Sequence, residues 1–214
     1  STSSKQLQVF TNLEMLHPAV STRAVDGQWE SNDTIGISST GMMDNMKFTR
    51  SGTSNQFVSA STVWFKDKGV RSFSAYYPYN ANPTNDLIMF QVPDSAIQSK
   101  QKVNDFLFAS GQASYAYPSL TLNFTHKMAR VFIKIYPSPE YGFTTNDFSG
   151  SILTFCDYFD SGTFNIKTGK VECSEESVST GYFGEVKSSY MTFLLYVPAQ
   201  TVPNIQLDLQ NGEH

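Results

Sequence analysis

Residues 119–136 read Ser-Leu-Thr-Leu-Asn-Phe-Thr-His-Lys-Met-Ala-Arg-Val-Phe-Ile-Lys-Ile-Tyr, and they decide the class of fold. Leu120, Leu122 and Phe124 alternate with Thr121, Asn123 and Thr125, the period of two of a strand with one buried face. A short break follows, and then Val131, Ile133 and Ile135 repeat the pattern with Phe132, Lys134 and Tyr136 opposite. Two such runs so close together predict an antiparallel pair at the centre of one half of a β-sandwich. Pro137 and Pro139 end the ladder, because proline has no N–H to donate to it.

The remaining composition agrees with an all-β chain. Charged residues make up 16% and aromatics 14% of 214 residues, a balance that suits sheets with hydroxyl-bearing outer faces. A net charge of -4 gives no electrostatic reason to bind nucleic acid or an anionic membrane. No run approaches the roughly 18 apolar residues of a membrane-spanning helix. The N-terminal Ser1-Thr2-Ser3-Ser4-Lys5 lacks the pattern of a signal peptide, so it reads as a trimmed product with any export or lipid signal upstream. The cysteines, Cys156 and Cys173, read as two separate small side chains, with a disulfide as the alternative in an exported protein.

Taken in order, the chain shows few secure elements before residue 30. Leu7-Gln8-Val9-Phe10 is a short extended run, His17-Pro18 breaks the next, and residues 21–24 resemble an exposed linker around Arg23. Residues 34–38 alternate as the first secure strand, and residues 39–55 read as loop. Residues 70–77 form a strong strand, with Phe73, Ala75 and Tyr77 on one face and Ser72, Ser74 and Tyr76 on the other. Further strands are expected at 87–90 and 105–108, with a helical turn in 93–103 between them. Beyond a linker at 141–149, a second β unit starts at residue 151. Its strands 151–158, 163–167 and 170–173 are joined by tight glycine turns into a meander.

Residues 190–197 and 205–209 are its last strands, and Asn211-Gly212 after them is a hairpin signal. The second domain therefore reads as incomplete at its C-terminus. The expected division is residues 1–137 and residues 138–214, with Ile35, Ile37, Phe73 or Tyr76, Leu120, Leu122, Phe124, Val131, Ile133 and Ile135 in the first core.

Catalytic patterns are missing. His17, His126 and His214 form no paired motif, and His126 in the central turn reads as structural. The stretch from Gly162 to Lys170 has the wrong glycine spacing for a phosphate loop and is expected to be a hairpin. Asp157, Asp160 and Gly162 lack the other oxygens of a calcium loop, and Glu175-Glu176 reads as a solvated pair. No catalytic residue, metal ligand or cofactor site is assigned, and the chain is read as a non-enzyme. Tyr76, Tyr77 and Tyr79 are the candidate ligand-facing aromatics, with packing against the sheet as the plainer alternative.

Several phrases, in this order, resemble the fimbrillin family, the pilin-like lipoproteins of anaerobic bacteria that build type V pili. They are Trp-Glu-Ser-Asn-Asp-Thr-Ile-Gly-Ile at 29–37, Phe-Ser-Ala-Tyr-Tyr-Pro-Tyr at 73–79 and Asp-Phe-Leu-Phe-Ala-Ser at 105–110. The central 120–135, then 162–171 and Tyr-Val-Pro-Ala-Gln at 196–200, carry the likeness across roughly residues 20–210. The resemblance implies two transthyretin-like β-sandwich domains, export through a lipoprotein route and a place at the cell surface, in a fimbrium of the outer membrane. It implies adhesion and assembly with other pilin subunits by strand exchange, with a host or bacterial surface receptor as a further partner. A monomeric surface lipoprotein that binds carbohydrate or protein is the competing reading.

The resemblance also implies processing. In fimbrillin-like proteins an Arg-specific protease cuts away an N-terminal strand, and Arg23-Ala24 matches that site by its position before Trp29. Residues 1–23 would then be the removable segment, with Leu7, Val9 and Phe10 as its strand. Arg50 is the competing site, disfavoured because cutting there would also remove the strand at Ile35. An ordinary solvated arginine is the alternative for Arg23.

Overall fold

The computed structural model describes residues 5–14 and 28–209. Sixteen strands occur among them, together with one four-residue α-helix, α1 (Gln98–Gln101), and three short 3-10 helices, so the chain is all-β. The first eight strands are β1 (Gln8–Leu13), β2 (Thr34–Ser39), β3 (Met43–Arg50), β4 (Gln56–Val58), β5 (Val70–Tyr77), β6 (Leu87–Gln91), β7 (Leu107–Ser114) and β8 (Ser119–His126). The others are β9 (Ala129–Ile135), β10 (Ile152–Tyr158), β11 (Ser161–Asn165), β12 (Val171–Cys173), β13 (Val178–Phe183), β14 (Glu185–Val186), β15 (Met191–Val197) and β16 (Asn204–Asp208).

Two compact units form, each from three stretches of chain. The first takes Ser1–Ile88, Phe106–Lys127 and Asn165–Lys170, and the second Met89–Asp105, Met128–Phe164 and Val171–His214. The chain thus passes between units several times, and the crossing nearest the expected division at 137 lies at residues 127–128.

In the first unit seven strands close into a barrel in the order β1-β4-β3-β2-β5-β7-β8. Leu120, Leu122 and Phe124 point into it with at most 1% exposure, beside Ile35, Ile37 and Phe73, as their alternation requires. Trp29 fills one end, meeting Phe57, Tyr77 and Phe124 edge-on at 5.1–5.4 Å between ring centres. Residues 43–50, expected to be loop, form β3. Its turn-like Asn45 sits at φ 42°, and pairing of Ile35 with Phe48 and Ile37 with Met46 holds the strand in place. Tertiary pairing outweighs the local turn signal there.

The central pair is corrected by the structure. Strands β8 and β9 are consecutive but do not pair. Strand β8 has β7 on one edge and β1 on the other, so neither edge is open to β9. Strand β9 pairs instead with β15, Ile133 opposite Phe193 and Val131 opposite Leu195. Val131, Ile133 and Ile135 accordingly pack, half-buried, on the second core rather than the first.

That second core holds Leu153, Phe155, Tyr158, Tyr182, Phe193 and Leu195. Three sheets contribute to its unit, β13-β10-β16, β14-β15-β9 and β12-β11-β6. The expected meander is only half formed. Strands β11 and β12 make the hairpin, Gly162 opposite Cys173 and Phe164 opposite Val171, while β10 pairs with β13 and β16. The helical turn expected in 93–103 is α1, and its Gln101 is buried with its amide donating to the carbonyls of Pro93 and Ser95. Cys156 and Cys173 are both free thiols.

Candidate functional site

The N-terminal strand β1 is one stave of the first barrel. Along β8 it runs parallel, in register from Gln8 opposite Ser119 to Leu13 opposite Phe124. On its other edge it runs antiparallel to β4, with Val9 opposite Phe57 and Phe10 opposite Gln56. Backbone bonds extend the seat beyond both ends: Leu7 N–H donates to Val63, Phe65 N–H to Lys5, Thr11 N–H to Asn55 and Glu14 N–H to Phe124.

Alternation decides which side chains fill the slot. Leu7, Val9 and Thr11 point inward at 5%, 1% and 1% exposure, and Leu13 packs partly on the same core. Gln8 and Asn12 face out, and the Asn12 amide donates to Asn123 Oδ1 at 2.8 Å. Phe10 is half-buried on the outward face, so of the three expected strand residues Leu7 and Val9 carry the core contacts. No residue of β1 is charged, which lets it lie between two strands without burying an ion.

Arg23 and Ala24 lie outside the described residues, which resume at Gln28. Arg50 is tied down at the end of β3. Its guanidinium donates to the carbonyls of Ser54 at 2.8 Å and Thr53 at 2.7 Å, and also to that of Trp29. A cleft that must pull an arginine out as an extended side chain would have to break all three bonds.

Of the three candidate ligand-facing tyrosines, two are packed into the fold. Tyr76 and Tyr77 are 1% and 7% exposed, on opposite faces of β5. The Tyr76 hydroxyl sits 2.7 Å from Asn45 Oδ1 and 2.9 Å from the Asn80 carbonyl, and accepts from the Asn80 N–H at 3.0 Å. Burial pushes its phenol up to about 12, against the pull of those bonds. Tyr77 donates to Asp33 at 3.1 Å. Only Tyr79 is partly open, with the Lys47 ammonium 5.7 Å from its ring centre. Glycine at 36 makes room for Tyr76, since a Cβ there would stand 2.3 Å from the ring. Sequence reading left open whether Phe73 or Tyr76 faced the core; Phe73 does, and Tyr76 on the opposite face is nonetheless buried beneath Asn45 and Asn80.

His126 ends β8 and its backbone N–H donates to Glu14 Oε2 at 3.3 Å, while His17 and His214 lie outside the described residues.

Comparison with known proteins bears on this geometry. The family model described as fimbrillin-like matches residues 22–213. Over 179 residues the chain is 28% identical to the "putative fimbrium subunit Fim1C" of Bacteroides uniformis, which covers 78% of this chain and 57% of that protein. The chain therefore spans a little over half the length of that relative. A "putative cell adhesion protein" of Bacteroides ovatus has the same fold, with TM-score 0.73 at 21% identity over 98% of this chain and 84% of its own. Another from Bacteroides uniformis gives TM-score 0.72 at 21% identity, over 95% of this chain and 78% of its own.

Proposed function

Because the chain belongs to the fimbrillin-like family, we propose that it is a structural and adhesive fimbrium subunit that assembles by strand exchange. In this reading β1 is a placeholder. Cleavage after Arg23 releases it, and a strand from a neighbouring subunit takes its seat between β8 and β4. The partners are then other subunits and a surface receptor, the location is the fimbrium at the cell surface, and a lipid anchor upstream supplies the link to the outer membrane.

The observation that supports this reading most directly is the seat of β1. A stave held on both edges leaves two rows of unpaired N–H and C=O groups when it departs, along β8 and β4. It also uncovers the pocket that Leu7 and Val9 fill. Each of those side chains contributes about 1.5–3 kcal/mol by burial. Their joint loss, roughly 3–6 kcal/mol, compares with a total stability of about 5–15 kcal/mol for a domain. A cut subunit is therefore driven toward any extended, alternating segment able to refill the slot. The competing reading of a monomeric ligand-binding lipoprotein rested on the tyrosines, of which Tyr76 and Tyr77 are buried.

Treating the purified protein with an Arg-specific protease tests the proposal. The expected result is a new N-terminus at Ala24, loss of the β1 peptide and oligomers or filaments by size exclusion and electron microscopy. Arg23→Ala should block both cleavage and assembly. Assembled subunits that begin before Ala24, or a cut form that stays monomeric and refuses donor peptides, would overturn it.

A further inference from the structure

Away from the β1 seat, the first unit carries a recess of about 820 Å³ on the outer face of its barrel. That is the size of a small-molecule site. Its floor is made of serine. Ser38 of β2 stands directly opposite Ser74 of β5, and Ser72 lies one step further along the same face. Strand alternation explains the arrangement: Ile37, Phe73 and Ala75 point into the core, so their neighbours point out. Short hydroxyl side chains here sink the sheet surface, where the threonines and valines usual in strands would fill it.

The walls supply fixed polar groups and a small apolar surface. Lys167, in the turn at 166–170, donates to Ser38 Oγ at 3.0 Å and to the Asp44 carboxylate. Its ammonium also lies 3.9 Å from Asp86 Oδ1. Hydrogen bonding from Lys167 and its charge hold the Asp44 carboxyl below the usual carboxylate value. Lys167 is mostly covered, with 29% of its side chain exposed, whereas Asp44 and Asp86 keep 78% and 49%. Met42 and Met43 line the recess from the β2–β3 turn.

These groups select a ligand class. One cation beside two anions leaves a net charge of -1, which repels phosphates, sulfates and acidic sugars. An apolar ligand would strip water from the serine hydroxyls and return no hydrogen bond. Both carboxylates retain lone pairs that can accept hydroxyl protons, the Ser74 hydroxyl can donate or accept, and the methionines offer a surface to C–H groups. A sugar ring presents that same mixture of hydroxyls and C–H faces.

We propose that this recess binds a neutral saccharide, with Ser74, Asp44 and Asp86 bonding its hydroxyls and Lys167 and Ser38 fixing the carboxylates, since the Ser38 oxygen already accepts from the Asn45 N–H at 2.8 Å and from Lys167. The proposal deepens the adhesive reading by naming a ligand class, and it rests on that reading for its biological sense. It does not depend on strand exchange, so the intact, uncut protein is the right sample.

The test is a binding screen of that protein against neutral mannose-, glucose- and galactose-terminated oligosaccharides, with sialylated and glucuronate-containing ones as the acidic arm. Saturation-transfer NMR and calorimetry give the readout, and circular dichroism checks folding. At least one neutral series should bind with Kd below roughly 1 mM, a range reached by a few hydrogen bonds. Asp86→Asn and Ser74→Val should each weaken it about tenfold or more while the spectrum is kept. Ser74→Ala, which removes the same hydroxyl without adding bulk, serves as a second variant should Ser74→Val fail to fold. The proposal is overturned if no neutral series binds, if acidic glycans bind better, or if folded variants bind as well as the parent. Loss of saccharide binding with protease-triggered assembly intact would leave the fimbrial reading standing, and the reverse would separate them equally.

Discussion

Val9→Ala asks whether β1 is an integral stave of the barrel. The side chain is 1% exposed and lies between Leu120 on β8 and Phe57 on β4. Truncation removes two methyl groups, worth about 0.8 kcal/mol each by transfer. The space they leave has rigid strands on both sides, and incomplete collapse adds on the order of 1 kcal/mol. The expected loss is therefore about 2–3 kcal/mol. Both tryptophans, Trp29 and Trp64, belong to the first unit, so tryptophan fluorescence in urea follows that unit selectively. With a slope of roughly 2–3 kcal/mol/M, the midpoint should fall by about 1 M at unchanged slope. An unchanged midpoint would show that β1 is not cooperative with the barrel, and the reasoning about its removal would fail with it.

Leu122→Ala, at a position with 0% exposure, should cost about 2–5 kcal/mol in the same fluorescence assay, whereas half-buried Ile133→Ala should cost less in global unfolding by circular dichroism. Gly36→Ala should destabilise the first unit by about 1–3 kcal/mol, because the added Cβ meets the buried Tyr76 ring at 2.3 Å; a neutral result would mean the ring can move aside. Tyr76 should ionise near pH 12, seen as a late step in ultraviolet titration. Since its folded value lies above the ordinary 10.0, its contribution is complete below pH 10 and lost as pH climbs through 12. Asp44 should titrate below 3.8 by carboxyl-detected NMR and return toward that value in Lys167→Met. Its folded value is lowered, so the pair's contribution is present above pH 3.8 and disappears as pH falls through the folded value.

Much of the local structure was legible in the residues. The alternation at 70–77 became β5 with the expected faces, and Gly162 to Val171 became a hairpin because its glycine and turn signals act over a few residues. The inward set Leu120, Leu122 and Phe124 followed from period two alone. The likeness of 29–37 and 120–135 to fimbrillins pointed to the right family. Leu7, Val9 and Phe10 were singled out as a strand; Val9 and Phe10 lie in β1, which begins just after Leu7.

Tertiary structure alone decided which strand lies beside which. Alternation states that one face of β8 is buried but contains nothing about its two edges, which are taken by the preceding strand β7 and by the distant β1. Once those edges are filled, β9 must leave the barrel, and Val131, Ile133 and Ile135 go to a different core with an identical pattern. Burial of Tyr76 likewise depends on Asn45 and Asn80 closing over it from elsewhere in the chain. The recess is the same kind of object: Ser38, Asp44, Ser74, Asp86 and Lys167 are scattered over 130 residues and carry no motif. Hydrophobic period is a property of each strand by itself, whereas edge pairing and pocket shape depend on the backbone hydrogen bonds that distant strands compete to make.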